Sequence, residues 1–233
     1  MSAPPPPTRT YRTNGFNLVA RPYELIAWLS FGGSIQEAQR RLFLGLRGAR
    51  HALMIGGGAG ETLEGVLNTE PRLKVTYIEA SSKMISLAQE RLTPGQRARV
   101  EWLHDTHERL YTQPELLSDV DVVITCFFLD VLSPPEASRL ITWVTDQLSA
   151  QRVEEGAVEW RLLIADFYPH AGWRGLLIKM MYWGFKLLAR LQNRTLCDYR
   201  ALAHTEGWVT QDESWHARDM IYSTQLSLHR AQR

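Results

Sequence analysis

Short apolar runs alternate with amphipathic stretches along most of the chain. Residues 52–55 are apolar and run into glycines, and residues 61–67 follow with Leu63, Val66 and Leu67 at helical spacing, which predicts strand, tight turn and helix. Residues 75–78 predict a second strand ending at Glu79, after which Met84, Leu87, Ala88 and Leu92 give a helical apolar face. The rhythm continues with strands at 100–103 and 120–125 and a helix from about 135 to 148 carrying Leu140, Ile141, Val144 and Leu148. A further strand at 162–165 ends at Asp166. Five such strands, mostly separated by helices, predict a parallel sheet covered on both faces, because crossover connections put the helices there.

The last part of the chain changes pattern. A helix near 199–206 is stopped by Gly207, and two extended runs, 208–213 and 220–229, follow with a short gap between them. The second alternates, with Tyr222, Thr224, Leu226 and Leu228 on one face. These two strands predict an antiparallel pair at the sheet edge. The fold class is therefore α/β, with a mostly parallel sheet that ends in an antiparallel strand and carries helices on both faces.

Composition narrows the picture. The chain has 233 residues, 45% of them hydrophobic, enough for one substantial core. A net charge of +1, from 26 basic and 25 acidic residues, provides no global field to recruit nucleic acid. Two cysteines, Cys126 and Cys197, form neither a disulfide framework nor a zinc pattern, so a reducing cytoplasm is the expected setting and no metal is expected. Residues 1–14, with Pro4 to Pro7, read as a disordered leader, and residues 15–233 as one domain. No apolar run reaches the length of a membrane span, since residues 175–191 are interrupted by Lys179, Lys186 and Arg190.

The candidate chemistry begins at Ile55-Gly56-Gly57-Gly58-Ala59-Gly60. A strand that enters glycines and then a helix lets backbone approach a ligand closely, while the helix start offers free N–H groups. Ligands of open α/β sheets lie beyond the carboxyl ends of the strands, where Glu79 can accept hydrogen bonds from both hydroxyls of a ribose. A dinucleotide fingerprint would place glycines at 56, 58 and 61, but position 61 is Glu61 and the third glycine is Gly60, which argues against a nicotinamide cofactor. A glycine-rich turn also occurs for purely structural reasons, and Glu79 at the end of the next strand is what favours the nucleoside.

With these residues the chain resembles the class I S-adenosylmethionine-dependent methyltransferases, and within them the branch that includes ubiquinone and menaquinone biosynthesis methyltransferases. The resemblance spans residues 23–228 and implies a Rossmann-like seven-stranded sheet with S-adenosylmethionine as cofactor. It implies that Gly56, Gly57, Gly58 and Gly60 pass under the methionine part and that Glu79 binds the ribose. It also places Ala80 and Met84 in the second motif, Asp105 and Thr106 beside the adenine, and Thr125 in the fourth motif, Thr125-Cys126-Phe127-Phe128-Leu129-Asp130, which faces the methyl group. Tyr23 resembles the tyrosine that covers the cofactor from an N-terminal helical lid, here at about 20–46; it reads equally well as a core aromatic. One position departs from the family, which usually has an acid two residues before the first glycine, where this chain has Met54.

Methyl transfer is an in-line displacement, so the protein mainly aligns donor and acceptor and removes a proton where needed. Asp130, Asp166, His104 and His170 are candidate bases near strand ends, with Asp130 and Asp166 ranked first as catalytic. Each also reads as a cap, a loop anchor or a surface residue. A helical insert at about 172–192 has one stripe of Leu176, Leu177, Met180, Met181, Gly184, Leu187, Leu188 and Leu191. Most such stripes pack on a core, yet here it would suit the wall of a pocket for a small apolar or aromatic acceptor. The opposite side, with Lys179, Trp183, Lys186 and Arg190, suits peripheral contact with a membrane surface. Two other readings stay open: an aminopropyltransferase-like enzyme using decarboxylated S-adenosylmethionine, and a catalytically silent nucleoside-binding protein of the same fold.

Overall fold

A computed structural model describes residues 33–151, 159–170 and 196–229. Tyr23, the leader and the helical insert lie outside the described residues, as does the first part of the expected lid.

Seven strands form one sheet in the order β3-β2-β1-β4-β5-β7-β6. The strands are β1 (His51–Ile55), β2 (Lys74–Ile78), β3 (Val100–Leu103), β4 (Val122–Cys126), β5 (Glu159–Phe167), β6 (Val209–His216) and β7 (Ile221–His229). The first five are parallel, with registers such as Ile55↔Ile78 and Ile55↔Thr125. β7 runs antiparallel between β5 and β6, pairing Asp166 with Tyr222 and Trp215 with Tyr222 on its two sides.

Strand side chains alternate between two apolar layers. On one face Ala52, Met54, Val75, Tyr77, Ile124 and Phe167 meet α1 (Ser34–Leu42), α2 (Glu61–Thr69) and α3 (Ser82–Arg91). On the other, Leu53, Ile55, Ile78, Val123, Ile164 and Tyr222 meet α6 (Pro134–Ala150) and α7 (Tyr199–Thr205), together with the crossing segment that holds two short helices, α5 (Arg109–Thr112) and a 3-10 turn (Pro114–Leu117). A single-turn helix, α4 (Pro94–Arg97), precedes β3.

Local chemistry sets the helix boundaries. Ser133 and Glu136 form a capping box at the start of α6, with Pro134 in the first turn, so the capping that Asp130 offered as an alternative belongs to Ser133. Ser81 caps α3 by accepting from the Met84 N–H. The buried residues of α3 are Ile85 and Ala88, continued by Leu92 at its C-cap, while Met84 and Leu87 of the expected face are only half-buried. Among the described residues no helix is long and apolar enough to cross a membrane.

Candidate active site

The carboxyl ends of β1, β2 and β4 converge on the glycine turn. Gly56 continues the β1 ladder by donating its N–H to the Ile78 carbonyl at 2.8 Å. Gly57 allows close approach, since a Cβ there would fall 2.2 Å from the ring of Tyr77. Tyr77 in turn donates its hydroxyl to the Gly58 carbonyl at 2.6 Å, locking the turn to β2. Gly58 is different: its φ of +63° needs glycine, and a Cβ built on it meets nothing within 4 Å. Among the described residues its Cα faces open space, where the turn can be approached by a ligand. Gly60 occupies the N-cap of α2 and backs onto Ala88.

Glu79 reaches into this turn. Its carboxylate accepts from Gly58 N at 3.1 Å and from Ser81 N at 2.8 Å, one bond to each oxygen. Burial raises its pKa, against the opposing pull of backbone N–H groups from Ser81, Gly58 and Ala80 and of the charge on His104. A carboxylate offers about four lone-pair sites, so acceptor capacity remains beside these three N–H groups for a hydroxyl donor. A desolvated carboxylate with acceptor capacity left over, beside an open glycine, fits a ribose hydroxyl.

The other expected cofactor residues sit around this centre. Ala80 and Met84 flank the start of α3 and are half-buried. Asp105 accepts from Thr106 N at 2.8 Å and faces Arg109 at 3.8 Å, shaping the turn after β3. His104 is exposed and contacts the Ala80 carbonyl at 3.2 Å. Thr125 points elsewhere: it is buried and lines a small apolar void with Ile55, Leu129, Leu140, Ile141 and Val144, on the α6 side of the sheet. Met54 is a core residue of the opposite layer and brings no charge to the site.

Asp166 and Asp130 are brought together, though in different settings. Asp166 is completely buried on β5 and accepts from Leu129 N at 3.1 Å and from its neighbour Phe167 N at 2.8 Å. Its carboxyl thus ties β5 to the 3-10 turn Leu129–Val131 that follows β4. Burial first, then the nearby Asp130, pushes its pKa well above the usual carboxylate range. Asp130 lies on that anchored turn and is half-buried. His170 is removed from both, contacting the Asp219 carbonyl at the turn between β6 and β7. Burial pushes the Cys126 thiol up to about 12, which keeps it a thiol at neutral pH.

Residues beyond the expected cofactor and catalytic set also shape the region. Tyr77 and Phe128 press on the glycine turn from its two sides, and His107, buried beneath Phe128, stacks edge-on with it at 5.8 Å. The alternation of β2 could have placed Tyr77 on the face of Met54, but no sequence period marks Phe128 or His107, which sit on irregular backbone. Farther along the same edge, the Arg200 guanidinium lies over the rings of Tyr168, Trp215 and Tyr222 and pairs with Asp198 and Glu213. Among the described residues no group of His, Cys, Asp and Glu is arranged to hold a metal ion.

Comparison with known proteins agrees with this geometry. Residues 53–149 match the family model described as a methyltransferase domain. No curated protein matches the sequence. Among solved structures, mitomycin 7-O-methyltransferase MmcR is 21% identical with a TM-score of 0.60, the match covering 93% of this chain and 60% of that one. An O-methyltransferase family protein from Burkholderia thailandensis is 16% identical with a TM-score of 0.62, covering 95% and 60%. The magnesium protoporphyrin IX methyltransferase ChlM from Synechocystis PCC 6803, solved with bound SAH, is 17% identical with a TM-score of 0.62, covering 94% and 98%. At these identities the likeness is one of fold, and the chain spans about 60% of the length of the first two. The strand order, the glycine turn with its acidic partner and the family match over residues 53–149 point the same way, to a methyltransferase domain that uses S-adenosylmethionine.

Proposed function

We propose that the chain transfers a methyl group from S-adenosylmethionine to an oxygen of a small apolar or aromatic acceptor. The observation that carries the reading is the Gly58–Glu79 pair: an open, left-handed glycine whose N–H donates at 3.1 Å to a desolvated carboxylate with acceptor capacity left for a ribose hydroxyl. When bound, S-adenosylmethionine supplies a sulfonium whose methyl carbon is already electrophilic, so the protein's share is alignment and proton removal.

The acceptor side is supported by its surroundings. Phe128, Tyr168 and Trp215 stand at the carboxyl ends of β4, β5 and β6 on the face of Tyr222, surroundings suited to rings rather than to solvated chains. The motifs that resemble quinone-biosynthesis methyltransferases support an aromatic acceptor. The O-methyltransferases among similar folds support oxygen as the methylated atom. Asp130, half-buried on the turn after β4, is the residue we assign to take the proton of an acceptor hydroxyl, and Asp166 holds that turn in place. Aminopropyl transfer is disfavoured, because a polyamine cation needs several accessible carboxylates and here the strand end leads into Cys126, Phe127 and Phe128.

Calorimetry with S-adenosylmethionine, its demethylated product and NAD, followed by turnover on a panel of phenols and quinols, tests the proposal. Binding of the first two but not NAD, with turnover on hydrophobic phenols, is the expected result. Absence of binding would refute it, and turnover confined to small hydrophilic acceptors would refute the acceptor class. Tight binding without turnover on any of them would favour the silent reading.

A further inference from the structure

The segment after β4 reverses direction in an unusual way. Phe127 has a φ of 51°, in the left-handed region that a bulky side chain rarely adopts. Such a conformation persists where surrounding contacts over-determine it, and it is common at ligand sites. Here the Phe127 N–H donates to the Ala165 carbonyl at 2.8 Å and its ring packs on Phe167 with centroids 5.2 Å apart. The reversal sends the next side chain, Phe128, to the other side of the sheet end.

Phe128 lands on the first glycine of the cradle. A Cβ on Gly56 would fall 2.2 Å from Phe128 Cδ2, so only glycine permits the ring to lie directly on this backbone. Behind it, His107 fixes the ring's tilt through an edge contact at 67°. Phe128 is nevertheless only half-buried, which leaves part of the ring open at the carboxyl end of the sheet.

The strand order gives that ring a partner. β2, with Glu79 at its end, is flanked by β3 on one side and by β1 and then β4 on the other. A nucleoside whose ribose sits at Glu79 sends its base and its 5′ substituent in opposite directions. With the base toward the turn after β3, the 5′ substituent crosses Gly56 toward β4 and meets Phe128. In S-adenosylmethionine that substituent carries the positive sulfonium. No carboxylate waits for it on β1, where Met54 is in the core, and Glu61 at the start of α2 faces Arg91 at 3.5 Å.

Resting on the function proposed above, we infer that the Phe128 ring recognises the sulfonium charge of the donor, so that the site distinguishes the charged donor from its neutral demethylated product. A cation over an aromatic face is attracted by the ring quadrupole, and the attraction grows as water is excluded. The neutral thioether of the product gains no such term, which favours its release after each turnover.

The test is calorimetric and uses the full chain, with S-adenosylmethionine and S-adenosylhomocysteine as probes on wild type, Phe128→Leu and Phe128→Tyr. Phe128→Leu keeps an apolar side chain but removes the π face; it is expected to weaken donor binding about three- to tenfold while changing product binding less than about twofold. Phe128→Tyr keeps the face and is expected to retain the wild-type ratio of the two affinities, which separates loss of the ring from a general disturbance of the turn. Equal weakening of both ligands in Phe128→Leu, or no weakening of either, overturns the inference while leaving the cradle intact. Failure of wild type to bind either ligand overturns the reading of the cradle itself, and the inference with it.

Discussion

Glu79 and its backbone donors show how one residue can be both a structural tie and a ligand group. The bonds from Gly58 and Ser81 hold its carboxylate in place before any ligand arrives, so little ordering is left for binding to supply. Replacing it, Glu79→Ala, removes a charge-assisted contact to a ribose hydroxyl and should weaken S-adenosylmethionine binding by about 1.5–3 kcal/mol, read by calorimetry. An unchanged dissociation constant would show that the ribose lies elsewhere. Glu79 was legible in the sequence because its role depends on a strand end, and strand ends follow from apolar runs. Phe128 was legible only as part of a motif, because where its ring lands depends on a backbone reversal at Phe127 that no periodicity encodes, and His107, on irregular backbone after β3, was not legible at all. Thr125 illustrates the converse: its motif position is regular, yet strand alternation turns its side chain toward Leu129 and α6.

Elements were more legible than residues, since each strand is bounded by the same chemistry that defines it. The run at 162–165 marks only the centre of β5, which extends over Glu159–Phe167 because β7 pairs along its whole length and stabilises residues that are not apolar. β7 itself reads as one-faced from the alternation of Tyr222, Thr224, Leu226 and Leu228. In the structure Ile221, Ser223 and Ser227 are buried as well, because the strand is interior and covered on both faces. Helix α6 carries much of the second core layer, and its first turn rests on the Ser133–Glu136 box, with Glu136 accepting from both Ser133 N at 2.8 Å and Ser133 Oγ at 2.6 Å. Ser133→Ala should therefore lower the stability of the fold by about 1 kcal/mol, measured from urea unfolding midpoints at constant m-value. A loss below about 0.3 kcal/mol would mean that the first turn is held by packing instead.

For the whole molecule, the buried titratable groups predict how stability responds to pH. Burial, reinforced by Arg139 and opposed by Glu136, lowers His107 from 6.5 to about 4. Between those values the unfolded chain binds the extra proton, so this contribution is present above the unfolded pKa and is lost as pH falls toward 4. Asp166 acts in the opposite sense: its raised pKa makes the folded state hold a proton, and that contribution fades as pH rises from the ordinary carboxylate range through the folded pKa. The two overlap, so the clean observable is a difference. The stability of wild type minus that of His107→Phe should grow by on the order of 3 kcal/mol from pH 4 to pH 7, measured by urea unfolding. A difference that stays flat would show that His107 titrates normally. The sheet's topology has a further consequence, which concerns the order of assembly. β7, although it follows every other strand in sequence, is wedged between β5 and β6 and pairs with both. A chain emerging from the ribosome therefore presents the glycine turn and its Glu79 partner long before the sheet is complete, and until β7 arrives β5 is an open, apolar edge. Such an edge is a template for wrong pairing, so β7 is the strand whose late insertion covers the exposed side of β5 and leaves β3 and β6 as the edges of the sheet.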